Sequence, residues 1–257
     1  MRSKKGRDGL LRNESMQPMK LKTIHTRLFE EGENIERFIL EHIPKLGDGS
    51  ILVVTSKIVA LAERRTATPE EKEKIILRES EWAVPTKYVW LTIKDGMFMA
   101  AAGIDESNAQ GKIILLPKDS FKAAARLHQA LLKRYKIKKL GVLITDSRVL
   151  PLRAGVVGVA LGYAGFAGIK DYRGSADLFG RTLKMTRVDI ADSLATAAVL
   201  LMGEGKERKP LAIIEGAPIE FRGRVNRQEL VIPVADDLYV PLFGKLNLKK
   251  PEKKRRD

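Results

Sequence analysis

Residues 141–148 read GVLITDSR, an apolar β-branched run followed at once by an acid, a hydroxyl and a guanidinium. The run has the composition of a strand. Carboxylates just past a strand's carboxyl end are where open α/β sheets gather ligands, and Ser147 can share a cation with Asp146. The same four residues equally fit a helix N-cap or a turn. A second run, ILVV at 51–54, has a similar sequel in Thr55-Ser56-Lys57. Further strand-like runs are YVWLTI at 88–93, KIILLP at 112–117 and LAIIE at 211–215.

Helical patterns lie between these runs. Residues 33–43 repeat apolar positions at three and four and stop before Pro44. Residues 120–135 open on Ser120 as N-cap and put Phe121, Ala125, Leu127, Leu131 and Leu132 on one broad face. Residues 189–202 are apolar almost throughout after the first turn, as in a buried helix. Strands and helices mix without strict alternation, which predicts a mixed α/β (α+β) fold with room for two lobes and argues against a simple barrel. The Gly-rich stretch 150–182 predicts short strands and tight turns, and 216–244, with three prolines, a short β extension.

The 257 residues suffice for a sizeable core. With no cysteine, disulfides, thiolate catalysis and iron–sulfur clusters are excluded, and a reducing, cytoplasmic setting follows. Three scattered histidines, His25, His42 and His128, do not make a zinc site, so any metal should be a hard one on oxygen ligands. No apolar run has the length of a signal peptide or membrane span, so no membrane role is expected. The net charge of +15 is concentrated at the ends. Residues 1–12 carry net +4 and residues 245–257 net +5. The sequence therefore divides into a basic tail at 1–18, a folded region at 19–244 and a basic tail at 245–257, the tails being expected to be disordered and to make weak, nonspecific nucleic-acid contacts.

Neither familiar phosphate loop occurs. Four segments carry chemistry instead. Gly103-Ile104-Asp105-Glu106-Ser107-Asn108 packs oxygen-bearing side chains into one loop, either as an Asx-type turn or toward a divalent cation and phosphate. Thr145-Asp146-Ser147-Arg148 is the second. Asp171, Arg173, Asp177 and Arg181 form the third, either recognising a substrate anion or pairing among themselves. Met202-Gly203-Glu204-Gly205, by itself, signals a helix cap.

In order and spacing, GSILVVTSKIV (49–59), AGIDESN (102–108), LPKDS (116–120), GVLITDS (141–147), DYRGSADLFGRTL (171–183), DIADSLATAAVLLMGE (189–204) and PLAIIEG (210–216) resemble the coenzyme F420-0:γ-glutamyl ligase family over about 47–216. The resemblance implies the γ-glutamyl-ligase fold and a homodimer. It also implies a reaction in which GTP or ATP and Mg or Mn join L-glutamate to a small carboxylate acceptor through an acyl phosphate. Such phosphoryl transfer needs positioning and charge neutralisation more than a protein nucleophile. The acceptor is F420-0 or a relative, with a folate-type acceptor or a non-catalytic nucleotide- or RNA-binding role as alternatives.

By matched position, Asp105 and Asp146 stand as ligands of one metal, and Ser147 and Glu204 as ligands of a second. Asn108 stands as a nucleotide contact, joined by Ser56 and Lys57 at the end of the ILVV run. Ser147 replaces the usual Thr, and Glu204 a common Gln. Elsewhere the sequence departs from the family. Residues 23–29 lack its L-P-L-I segment, and Leu61 stands where a nucleotide-contacting Lys is usual. After Asp146-Ser147, Arg148 begins R-V-L-P-L-R in place of F-G-R-P-W-R, and Gly158 replaces an Asp. Lys57 lies one helical turn before Leu61 and is placed to substitute for the missing cation.

Overall fold

The computed structural model describes residues 18–243; the basic tails read at 1–18 and 245–257 lie, apart from Pro18, outside them. Twelve strands and six α-helices follow in chain order among the described residues. They are β1 (Lys20–Ile24), α1 (Ile35–His42), β2 (Ser50–Thr55), α2 (Ser56–Ala62), β3 (Thr66–Ala67), α3 (Lys72–Glu79), β4 (Trp82–Pro85), β5 (Trp90–Lys94), β6 (Met97–Ala100) and β7 (Ile113–Ile114). Then come α4 (Ser120–Tyr135), β8 (Leu140–Val149), β9 (Val156–Ala164), β10 (Ile169–Asp171), β11 (Arg187–Asp189), α5 (Ile190–Met202), β12 (Leu211–Glu215) and α6 (Val240–Phe243). The expected mixed α/β class holds.

The central sheet has the order β1-β12-β2-β8-β9, with β2 and β8 parallel and the other neighbours antiparallel. β2 and β8 are buried along most of their length because helices cover both faces. Leu52, Val54, Val142, Ile144 and Leu211 point toward α1, α2 and α4. Their neighbours Ile51, Val53, Leu143, Ala212 and Ile214 point toward α5. Each of the Val, Leu and Ile side chains among them stabilises the fold by about 1.5–3 kcal/mol through burial. The long connection from β2 to its parallel neighbour holds a three-stranded antiparallel sheet, β4-β5-β6, and the β3-β7 pair. The smaller sheet shares the main core, because Met97 and Met99 of β6 pack into it.

Several sequence expectations need correction. The GVLIT strand does not end at Thr145. β8 continues through Asp146 and Ser147 to Val149, paired with β9 across a bulge at Ile144/Thr145, so neither the N-cap nor the turn reading of 145–148 applies. KIILLP contributes only the two-residue β7; just beyond it the Leu115 amide donates to the Arg65 carbonyl at 2.9 Å, and Leu115 and Leu116 are buried. Helix α4 is capped by Asp119, whose carboxylate accepts from the Lys122 amide at 2.8 Å, and Ser120 is the first helical residue. Residues 216–243 form no strand; a single bridge joins Phe221 to Phe166, and short helical turns follow. Within the Gly-rich stretch, β9 runs nine residues. No helix among the described residues is long and apolar enough to cross a membrane.

Gly158 explains itself structurally. A Cβ there would meet the Ala195 carbonyl oxygen at 2.3 Å, so α5 lies directly on β9. The Thr196 hydroxyl donates to the Gly158 carbonyl at 2.7 Å, fixing the contact.

Candidate functional site

The parallel pair β2–β8 ends at a cavity of about 370 Å³. Its wall takes Thr55, Ser56, Lys57 and Leu61 from the β2–α2 junction, Asp105, Ser107 and Asn108 from the loop after β6, and Thr145, Asp146 and Ser147 from β8. Residues 202–210, from the last residue of α5 onward and with Glu204 among them, and the Thr26–Phe29 segment complete it. Every residue matched above to metal or nucleotide therefore borders one cavity, although the segments are far apart in sequence.

Local geometry fixes each contributor. Residues Ala101, Ala102 and Gly103 all have positive φ, which turns the chain sharply after β6 and delivers Asp105 to the cavity. Only Gly fits at 103, where a Cβ would lie 2.6 Å from Leu116. Asp105 accepts from the Ser107 amide at 2.6 Å and the Ser107 hydroxyl at 3.0 Å. The loop is thus an Asx-type turn and a cavity wall at once. Asn108 donates to the Gly205 carbonyl at 3.2 Å, tying this loop to the one after α5.

Lys57, on the first turn of α2, puts its ammonium 2.7 Å from the Asp105 carboxylate and donates to the Ser107 carbonyl at 2.8 Å. Burial pushes the Asp105 carboxyl up, but the Lys57 and Ser107 hydrogen bonds outweigh it and hold the group below its ordinary range. Asp146 accepts from the Ser56 hydroxyl at 3.2 Å and from Arg148 at 2.7 Å. Glu204 is shifted the other way. Burial raises it, the neighbouring Asp146 and Asp105 charges add to the rise, and the Ser147 hydroxyl only partly offsets them.

Within the lining, the oxygen donors Asp105, Asp146, Glu204, Ser56 and Ser147 suit a hard divalent cation, and the Glu204 carboxyl, raised chiefly by burial and further by the Asp146 and Asp105 charges, is one whose ionised form a cation would favour. The side chains do not stand ready-made for it: among the described residues no three Asp, Glu or His side chains group as a metal site, because Asp105 and Asp146 are turned to Lys57 and Arg148.

Asp171, Arg173, Asp177 and Arg181 lie away from this cavity. Asp171 and Arg173 pair with one another, and the Arg173 hydrogen bonds pull the Asp171 carboxyl down to about 2. Asp177 accepts from the Phe179 and Arg181 amides at 2.8 Å each. These are local turn and pairing contacts: Asp171 and Arg173 form an ion pair, and Arg181 meets Asp177 through its backbone amide.

Sequence reasoning missed Thr26–Phe29 and Arg208. The Thr26 amide donates to the Arg208 carbonyl at 2.9 Å, and the Arg208 guanidinium donates back to the Thr26 carbonyl. The contact follows from the antiparallel β1–β12 pairing across nearly 190 residues, so no local motif announces it. The basic run Lys206, Arg208, Lys209 was the available signal.

The family described as F420-0:Gamma-glutamyl ligase matches residues 23–216, so the matched region takes in Thr26–Phe29 although the likeness was read from about residue 47. The chain is 31% identical over 233 residues to the coenzyme F420:L-glutamate ligase of Methanocaldococcus jannaschii, covering 82% of this chain and 93% of that protein. It is 33% identical over 238 residues to the protein of the same name from Methanopyrus kandleri, covering 83% and 94%. A third such ligase, from Methanothermobacter thermautotrophicus, is 35% identical over 213 residues, covering 73% and 84%.

Proposed function

The chain belongs to the F420-0:γ-glutamyl ligase family, and on that premise we propose that it uses a nucleoside triphosphate to attach L-glutamate to the carboxylate of F420-0 or a closely related acceptor in the cavity at the end of β2 and β8. The observation that carries this reading is the convergence of Lys57, Asp105, Asn108, Asp146, Ser147 and Glu204, from four separate segments, on one cavity.

The chemistry runs in two steps. The acceptor carboxylate attacks the γ-phosphorus, releasing the nucleoside diphosphate and leaving an acyl phosphate. The glutamate amine then attacks the acyl carbon, loses a proton and expels inorganic phosphate as the amide forms. Neither step asks for a protein nucleophile, in keeping with a cavity lined by charges and hydroxyls. Lys57 is placed to answer phosphate charge. On this reading it replaces the cation lost at Leu61, whose side chain packs instead against Ala60, Ala109 and Ile114. Asn108 and Ser56 would orient the nucleotide by hydrogen bonds.

Asp105, Asp146, Ser147 and Glu204 would hold Mg or Mn. When bound, the cation neutralises phosphate charge and polarises the phosphorus. For Lys57, the consequence is a change of partner, from the Asp105 carboxylate to a phosphate oxygen.

The test is direct. Purified full-length protein is incubated with Mg or Mn, GTP or ATP, isotopically labelled glutamate and a panel of F420-0 and folate acceptors. A mass gain of one glutamyl unit on F420-0, dependent on triphosphate, is the expected result. Gain on folate alone would move the acceptor assignment, and no gain on any acceptor would remove the ligase reading.

A further inference from the structure

Behind Asp146 lies a cation that the proposed reaction does not use. Arg148 is only 7% exposed, and one of its terminal nitrogens donates to the Asp146 carboxylate at 2.7 Å and to the Ser147 carbonyl at 3.0 Å. Its Nε and its other terminal nitrogen are buried and have no hydrogen-bond partner. Keeping a guanidinium in such a place is costly, because buried charged donors left unpaired forfeit their hydration. The resemblance puts an apolar Phe at this position, a residue that would incur no such cost. Arg148 does not border the cavity; it reaches it only through Asp146.

A carboxylate that already faces a guanidinium at hydrogen-bond distance is a poorer ligand for a second cation. The guanidinium has taken up part of its charge and repels the incoming dication across one carboxylate. We propose that Arg148 is a resident competitor for divalent cation at Asp146, so that the protein without nucleotide takes up Mg or Mn weakly. Arg148 acts as a positioning residue: it turns Asp146 with Ser56 on one oxygen and itself on the other, and it lowers the affinity of the cavity for free metal. The inference rests on the reading that Asp146 is a metal ligand.

Mn titrated into the full-length protein, with free Mn followed by electron paramagnetic resonance, tests it without requiring turnover. Arg148→Phe and Arg148→Gln each remove the charge and should bind Mn at least about tenfold more tightly than wild type, with the gain abolished when Asp146→Asn is added. A tighter site is a result that damage to packing does not produce. Arg148→Gln keeps a polar side chain of similar reach and carries the test if the Phe variant fails to fold. Equal or weaker Mn binding by the charge-removed variants, while Asp146→Asn alone weakens the wild type, overturns the role of Arg148 and leaves the ligase reading standing. If Asp146→Asn leaves Mn binding unchanged, the metal assignment itself fails and the inference goes with it.

Discussion

The Lys57 ammonium lies 2.7 Å from the Asp105 carboxylate, although 48 positions separate them in sequence. Both side chains are partly exposed to the cavity, so the pair is not a buried structural bridge, and exposed pairs of this kind contribute little to stability. Its significance is electrostatic and local: one cation is held beside a cavity where, in the proposed reaction, a polyphosphate would lie.

Replacing Lys57 by Ala should therefore weaken GTP or ATP binding by roughly tenfold or more, since charge-assisted contacts are commonly worth ~1.5–3 kcal/mol and a decade of affinity is ~1.4 kcal/mol. Thermal stability should change little. Calorimetric titration of both nucleotides into wild type and Lys57→Ala, with Mg present, reads the difference; unchanged affinity would mean that Lys57 belongs to Asp105 alone.

The sequence made Lys57 legible and left its partner unassigned, which shows where local pattern stops. Strand and helix cores were readable because period and composition are local: LAIIE is β12 to the residue, and the apolar pattern at 189–202 is α5 but for its capping Asp189. Colinear motifs single out Asp105, Asp146 and Glu204, and the structure puts all three on one cavity. The continuation of β8 past Thr145 was hidden because it depends on pairing with β9 across a bulge. YVWLTI begins two residues before β5 because Thr86 first closes a turn, its hydroxyl accepting from the Tyr88 and Val89 amides. The pairing of Thr26 with Arg208 was hidden for the same reason as the bulge: only the register of distant strands joins them.

Helix α4 gives a test of that boundary between adjacent residues. Asp119 caps the helix through the Lys122 amide and also pairs with Arg227 at 2.6 Å, whereas Ser120 lies inside the first turn. Asp119→Ala should cost about 1 kcal/mol in denaturant unfolding, while Ser120→Ala should be close to neutral. The reverse ranking would restore Ser120 as the cap.

Gly158 makes a stronger demand. Any Cβ at this position points at the Ala195 carbonyl and the Val199 side chain, at 2.3 and 2.7 Å, and the first is backbone that cannot rotate away. Gly158→Ala should destabilise the protein by about 1–3 kcal/mol, the usual range for overpacking. Gly158→Asp, the residue the family resemblance suggests, should do so by more, because a carboxylate would be driven into the α5 interface. A melting temperature unchanged in Gly158→Ala would show that α5 moves freely over β9.

The N-terminus of α5 carries the last prediction. Asp189 caps the helix by accepting from the Asp192 amide at 2.9 Å, while Asp192 accepts from the Ala160 amide at 2.8 Å. Burial raises both carboxyls; the Asp192 charge adds to the rise at Asp189, pushing it up to about 6, whereas the hydrogen bond with Asp189 and the Arg148 charge partly offset the rise at Asp192. A carboxyl raised on folding binds more protons in the native than in the unfolded state, so its contribution to stability falls as pH rises. The loss spans the window between the unfolded value near 3.8 and the folded value near 6. Asn retains the capping oxygen without the charge. Asp189→Asn should thus stabilise the protein at pH 7 by roughly 1–2 kcal/mol, with the advantage shrinking toward pH 4. Unfolding free energies of wild type and variant measured across pH 4–7 should converge at the acid end; parallel curves would mean that the Asp189 carboxyl ionises freely in the folded protein.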